Sequence, residues 1–244
     1  MYGRRTVAVV VPAYNEERLI GRTVSTLPRF VDHVLVVDDG SRDGTVEAAV
    51  AAGGARLSVL SHGRNRGVGA AIATGYRAAL DLGADIAVVV GGDAQMDPAE
   101  MDRLIEPIAI GKADYVKGNR LGHVDLEQRM PRPRLVANRL LTRLTALALG
   151  APVSDSQCGY TAISRSALER LPLERLWPRY GYPNDLLSWL QASGARVTER
   201  PVTPIYATER SHISPVTIGP TMAWVLARVW WRHRRGSSRY SGIA

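Results

Sequence analysis

The sequence predicts an α/β protein, a mostly parallel sheet flanked by helices. Two observations carry that expectation. Short valine-rich runs alternate with stretches of helical periodicity through the first half of the chain. The runs are apolar at successive positions, where a strand with one wet face would alternate, so they read as strands covered on both sides. Strand and helix repeating in this order build a doubly wound layer.

In chain order, the first strand is Val7 to Val11, followed by helical spacing from Glu17 to Leu27. A second strand, Val34 to Val37, leads to a helix over Thr45 to Ala52. A third, Leu57 to Leu60, leads to a helix over Ala70 to Leu82, and Ile86 to Val90 is the fourth strand. Each helical stretch ends in Gly, Pro or polar turn residues. The second half is less regular. Tyr115 to Gly118 and Tyr160 to Ser164 read as strands, Leu135 to Leu149 and Asp185 to Ala192 as helices, and Val197 to Tyr206 as one or two strands. Leu121 to Pro133 reads as a loop.

A chain of 244 residues can bury a sizeable core. Its 45% hydrophobic and 22% charged residues argue against disorder, collagen-like sequence and a multispanning membrane protein. One domain is expected over residues 1–215, with a basic aromatic helix and tail over 216–244. The single cysteine, Cys158, excludes an internal disulfide and a thiolate zinc site, and it fits a reducing, cytoplasmic setting. The apolar run from Val7 to Pro12 is too short for an export signal. Val216 to Trp231, interrupted by Arg228, falls short of the roughly 20 apolar residues of a spanning helix. A formal charge of +8 raises nucleic-acid binding. The positive residues cluster mainly in the second half without a recognition motif, so no nucleic-acid partner is expected.

Ligands of such sheets bind beyond the carboxyl ends of the strands, near the point where strand order reverses. The four segments there are polar or Gly-rich. Asp38 and Asp39 end a buried strand, where adjacent acids are costly unless hydrogen-bonded, exposed or ligand-bound. Capping of the next helix accounts for one of Ser41 and Asp43 but not for both aspartates, which points Asp39 to a ligand N–H or hydroxyl. Gly63, Gly67 and Gly69 lack the spacing of a dinucleotide fingerprint. They read either as a tight turn with Gly69 allowing close packing, or as backbone amides and Arg64 or Arg66 facing a phosphate. Asp93, Gln95 and Asp97 alternate after the fourth strand, so an extended continuation would aim them together. Asp97 before Pro98 reads as a helix cap, and Asp93 as an oxygen ligand for Mg²⁺ or Mn²⁺.

These segments resemble family 2 glycosyltransferases of the GT-A fold, most closely the dolichol- and polyprenyl-phosphate sugar synthases. The matching stretches are Val9 to Glu16, Val37 to Thr45, Asn65 to Ala71 and the acidic cluster, then Lys117 to Arg120, Asp155 to Tyr160 and Tyr182 to Asp185. They cover about 200 residues in order. The resemblance implies a metal-dependent, inverting transferase that takes a hexose from a UDP- or GDP-sugar to a polyprenyl phosphate. Pro12, Tyr14, Glu16 and Asp39, with Arg66 and Gly67, would hold the donor nucleotide; Asp93 and Gln95 would hold the metal and diphosphate. The chain departs from the family at Gly91, where the D-x-D motif often begins with Asp.

Asp155 and Gln157 either organise a turn or serve the reaction, Asp155 as a catalytic carboxylate and Gln157 as a contact to the donor. Asp185 is either the acid in the first turn of a helix or the acceptor-side carboxylate, which acts as base in members with hydroxyl acceptors. Arg120, Arg129, Arg132 and Arg134, with Arg210 and His212, form either a solvated face or donors to an acceptor phosphate. Trp224, Trp230 and Trp231 with Arg228, Arg232, Arg234 and Arg235 suit a bilayer surface, the domain or another subunit of a homo-oligomer. Two alternatives stand beside the lipid-phosphate transferase: transfer to a soluble hydroxyl acceptor, and a non-catalytic sugar-nucleotide-binding protein.

Overall fold

The computed structural model describes residues 1–123, 126, 130–205 and 215–240. Seven strands form one sheet: β1 (Val7–Ala13), β2 (His33–Asp38), β3 (Leu57–Ser61), β4 (Ile86–Val89), β5 (Tyr115–Asn119), β6 (Thr161–Ser164) and β7 (Val197–Pro201). Their order is β3-β2-β1-β4-β6-β5-β7. β1 to β4 are parallel, β5 pairs parallel with β7, and β6 runs antiparallel to both β4 and β5. The expected mostly parallel α/β sheet is therefore present, and its one reversed strand joins the two halves.

The described helices are α1 (Ile20–Ser25), α2 (Thr45–Gly53), α3 (Val68–Asp81), α4 (Met101–Ala109), α5 (Arg132–Leu149), α6 (Arg165–Glu169), α7 (Tyr182–Ala192) and α8 (Pro215–Tyr240). They cover both faces of the inner strands β1, β2 and β4, which is why those strands carry no polar alternation. Val7, Val9 and Val11 enter a core with α1 and α4, while Ala8 and Val10 enter a second with α3, α7 and α8. Val225 and Val229 of α8 belong to that second core, so part of the 216–244 segment packs directly on the sheet domain.

Three expectations differ from the structure. The third strand is not covered on both faces: β3 lies at the sheet edge with one neighbour, and its residues are partly exposed. The helix expected over Glu17 to Leu27 is confined to Ile20–Ser25. Its upstream residues are held in a turn, where the Glu16 N–H donates to Thr45 Oγ1 (2.8 Å) and the Glu17 N–H to Asp43 Oδ2 (3.3 Å). The helix expected from Leu135 begins at Arg132, with Pro133 in its first turn, where a missing N–H costs nothing. Of the one or two strands expected over Val197 to Tyr206, one, β7, forms among the described residues; Tyr206 itself lies outside them. No helix of the described residues is long and apolar enough to cross a membrane.

β1 is paired with β2 on one side and β4 on the other, so the segments leaving β1 and β4 turn apart at the carboxyl edge. A cleft opens there.

Candidate active site

The cleft has a volume of about 750 Å³. Pro12, Tyr14 and Glu16 enter it from β1, Asp39 from β2, Gly67 from the Gly-rich segment and Asp93 with Gln95 from β4. Arg120 and Gln157 line it from beyond β5 and before β6. Nine of the sequence-predicted ligand residues thus converge, although they come from different strands. Arg66 contributes its backbone instead, and its side chain is not among those lining the cleft.

The loops leaving β1 and β2 are clipped together by side-chain bonds to backbone. The Asn15 N–H donates to Ser41 Oγ (2.9 Å), and the Arg42 N–H to Asn15 Oδ1 (2.9 Å). Asp38 accepts from the Ser41 N–H at 3.0 Å. Asp39 is buried and accepts from the Arg66 N–H (2.9 Å), the Gly67 N–H (2.7 Å) and His62 Nδ1 (2.8 Å). One carboxylate thereby fixes the Gly-rich turn and keeps a face in the cleft. His62, itself braced by Thr74 at 2.9 Å, escaped sequence reasoning because nothing about a lone histidine after a strand predicts a partner 23 residues back.

The Gly-rich segment is a packing device. A Cβ at Gly69 would lie 2.1 Å from the Trp177 carbonyl oxygen, and one at Gly67 (φ +100°) 2.4 Å from that of Pro178. The Ala70 N–H donates to the same Pro178 oxygen at 3.0 Å. The amino end of α3 therefore meets backbone carbonyls of the 177–178 segment, which is the close packing at Gly69 that the tight-turn alternative expects.

After β4 the chain turns at Ala94 (φ 54°), so Asp93 and Gln95 do not sit on an extended continuation as expected. Both still face the cleft, with the Gln95 N–H donating to Asp93 Oδ1 at 3.2 Å. Asp97 accepts from the Ala99 N–H at 2.9 Å, as a cap should. A Cβ at Gly91 would stand 2.8 Å from Asp93 Oδ1, so glycine leaves open the space beside this carboxylate. Among the described residues no group of three His, Cys, Asp or Glu side chains forms a metal site. The donor set of one carboxylate and one amide fits a hard divalent cation whose other ligands are diphosphate oxygens and water.

Arg120 grips Asp155 through Nε (2.8 Å), Nη2 (3.0 Å) and its own backbone N–H (3.1 Å). Burial pushes the Asp155 carboxyl up, but the charge and hydrogen bonds of Arg120, helped by Lys117, outweigh it and hold the carboxyl below its usual range. Lys117 is fully buried, donates to the Cys158 carbonyl, and is pulled down by that burial. Asp155 is itself fully buried beneath Arg120 and does not line the cleft. Its visible chemistry is to aim Arg120.

Asp185 is also fully buried. It accepts from the Trp177 N–H (2.9 Å) and from both Arg232 amino groups (3.1 Å each), with Arg228 Nε at 3.6 Å. Arg232 stacks on the Trp189 ring at 3.8 Å and bonds Ser188. Both expected catalytic carboxylates are therefore placed below the cleft surface, each spent on arginine. Sequence reasoning did not pair Asp185 with residues 43 and 47 positions away on α8. It also missed Arg179, Tyr180 and Thr221, which line the cleft. Arg134 lines it as well, Arg132 does not, and Arg129, Arg210 and His212 fall outside the described residues.

Comparison with known proteins fits this geometry. The family model for glycosyl transferase family 2 matches residues 8–172. The UDP-N-acetylglucosamine–dolichyl-phosphate N-acetylglucosaminyltransferase of Methanococcus voltae is 32% identical over 217 residues, 83% of this chain and 86% of that one. The polyprenol monophosphomannose synthase of Mycolicibacterium smegmatis is 30% identical, covering 80% and 76%. Among solved structures, glucosyl-3-phosphoglycerate synthase of Mycobacterium tuberculosis with UDP superposes with a TM-score of 0.70 at 26% identity, over 94% of this chain and 80% of that one. The same enzyme with Mn²⁺, UDP-glucose and phosphoglyceric acid gives 0.67 at 26% identity, over 94% and 80%. The sheet and its flanking helices are those of the GT-A fold.

Proposed function

The chain belongs to glycosyl transferase family 2, and from that premise we propose that it transfers a hexose from a UDP- or GDP-sugar to a polyprenyl phosphate, with inversion at the anomeric carbon. One observation carries the choice of acceptor. Arg120 and Arg134 line the same cleft as Asp93, while the carboxylate expected to act as base is buried under Arg232. A phosphate is already ionised at neutral pH, so it needs positive charge and no base.

In this reading an acceptor phosphate oxygen, held by Arg120 and Arg134, forms a bond to the sugar anomeric carbon as the bond to the nucleoside diphosphate breaks. Negative charge grows on the departing diphosphate, which is where fixed positive charge helps most. Asp93 and Gln95 would hold Mg²⁺ or Mn²⁺ there, and the ion would supply Lewis-acid stabilisation of the leaving group. Asp39 and the clipped loops around Pro12, Tyr14 and Glu16 hold the nucleoside. Relatives that act on dolichyl and polyprenol phosphates support the acceptor class, and the Mn²⁺ complex of the solved synthase supports the metal.

A hydroxyl acceptor bearing its own anionic groups is the second reading, supported by the synthase structure that holds phosphoglyceric acid. It would require a base within reach of the hydroxyl proton. The test offers UDP- and GDP-sugars with Mg²⁺ or Mn²⁺ to a water-soluble short-chain polyprenyl phosphate and to a panel of hydroxyl acceptors. Transfer to the phosphate is expected. Transfer only to hydroxyls overturns the lipid-phosphate reading, and donor binding without any turnover points to a binding protein.

A further inference from the structure

We propose that the outward faces of α5 and α8 form a docking surface for an anionic lipid bilayer, which seats the mouth of the cleft at the membrane. The proposal deepens the lipid-phosphate reading and rests on it for the purpose that docking serves. On α5, Val136, Leu140, Leu144 and Leu147 are 65%, 56%, 40% and 76% exposed. Their spacing of four, four and three residues sets them on one stripe. The opposite side of the same helix is buried through Leu135, Asn138, Thr142 and Thr145. The helix therefore already has its core-facing side, and the apolar stripe is a second one, turned to solvent. Arg132, Arg139 and Arg143 are exposed along one edge of that stripe.

α8 repeats the arrangement. Met222, Val225 and Val229 face inward, while Trp224 and Trp231 are 59% and 53% exposed on the other side. Trp230 lies beside them with the Arg234 guanidinium 4.4 Å above its ring. Tryptophan with arginine on one face is the composition of a helix lying in the headgroup layer.

Both helices are fixed to α7. α5 is tied by Thr145 to Asn184 (3.1 Å) and by Gln191 to the Leu149 carbonyl (3.0 Å), and α8 by Arg232 to Asp185. α5 and α8 also pack on each other, so the faces turned from α7 open on one side of the molecule. Arg134, in the first turn of α5, and Thr221 of α8 both line the cleft, so its mouth lies between the starts of the same two helices. Neither α5 nor α8 contains an aspartate or glutamate. A second copy would present the same positive charge to itself across a two-fold axis, whereas an anionic leaflet complements it.

The test is co-sedimentation of the full chain with phosphatidylcholine vesicles, with and without phosphatidylglycerol. The triple variant Leu140→Glu, Leu147→Glu and Trp224→Glu is compared with the wild type. The wild type should bind the anionic vesicles and lose most of that binding at high salt; removing one exposed arginine should weaken it about five-fold. The variant should fail to bind, yet keep its circular dichroism and its transfer to the water-soluble short-chain phosphate, because these side chains point away from core and cleft. Equal vesicle binding by both proteins, or none by the wild type, overturns the proposal. A wild-type dimer that the variant converts to monomer, without vesicle binding, assigns the surface to a second copy and overturns it too. Absence of transfer to the short-chain phosphate, with vesicle binding intact, overturns the acceptor assignment and not the docking surface.

Discussion

The two sides of the cleft are built by different means. On the donor side, the loops leaving β1 and β2 are joined by uncharged or carboxylate side chains that bond backbone N–H groups, as Ser41, Thr45 and Asp39 do. Each bond spans one strand–helix–strand unit. On the acceptor side, position depends on paired charges drawn from distant segments: Arg120 with Asp155, and Arg232 with Asp185, 35 and 47 residues apart. The donor side can lose a ligand group without losing its shape. The acceptor side holds its shape through charges whose removal strands a partner in a poorly solvated place.

The largest effect expected from this contrast is on the donor side and is purely catalytic. Asp93→Ala should lower metal-supported transfer by about 10²–10⁴-fold while the melting temperature stays near that of the wild type. Steady-state kinetics at saturating Mn²⁺ beside a thermal melt decide it, and full activity with unchanged metal affinity would remove Asp93 from the site.

On the acceptor side the same kind of change should show first as stability. Asp155→Ala leaves Arg120 without its carboxylate and should cost about 3–5 kcal/mol of unfolding free energy, read from denaturant titration. A loss below about 1 kcal/mol would mean that Arg120 finds equivalent partners, and the contrast between the sides would collapse.

Asp185→Asn keeps the size of the side chain and an acceptor for the Trp177 N–H, so a smaller cost of about 1.5–3 kcal/mol is expected. With a phosphate acceptor its kcat should fall less than about 10-fold and its pH profile should keep its shape. A fall of about 10²–10⁴-fold with a lost acid limb would make Asp185 a general base after all.

Gly69→Ala tests the junction between the sides, because the new Cβ meets a backbone carbonyl that cannot rotate away. About 1–3 kcal/mol of destabilisation is expected from overpacking, measured by the same titration.

The smallest signal is in pH. The Asp155 carboxyl is held below its unfolded value of about 3.9, so its contribution is complete above that pH and is lost as pH falls through the folded value. Acid unfolding of Asp155→Asn should therefore be shallower than that of the wild type below about pH 4, and identical slopes would show that Arg120 adds nothing to this carboxyl.

Much of the donor side was legible in the chain itself. Continuous apolar runs such as Val7 to Val11 mark strands covered on both faces, and the polar segment after each strand marks where a ligand sits, because open α/β sheets bind ligands beyond the carboxyl ends of their strands. The capping role of Asp97 followed from the proline behind it. Less legible was β3, whose Leu57 to Leu60 run differs from an inner strand only by Ser58; edge position depends on which neighbours a strand acquires. The turn at Ala94 was equally hidden, since nothing around a single alanine announces a positive φ.

For Asp155 and Asp185 the sequence determined only that acids stand near a predicted strand and helix. Whether each faces substrate or arginine was decided by the tertiary structure, which brought Arg120 and α8 over them. The same distinction applies to α5. Its leucines and arginines are read as a helix from their spacing, but which of its two apolar sides is covered depends on α7 and the sheet beneath. Local periodicity follows from backbone geometry within a few residues, whereas burial and charge pairing follow from contacts between segments that only the folded chain brings together.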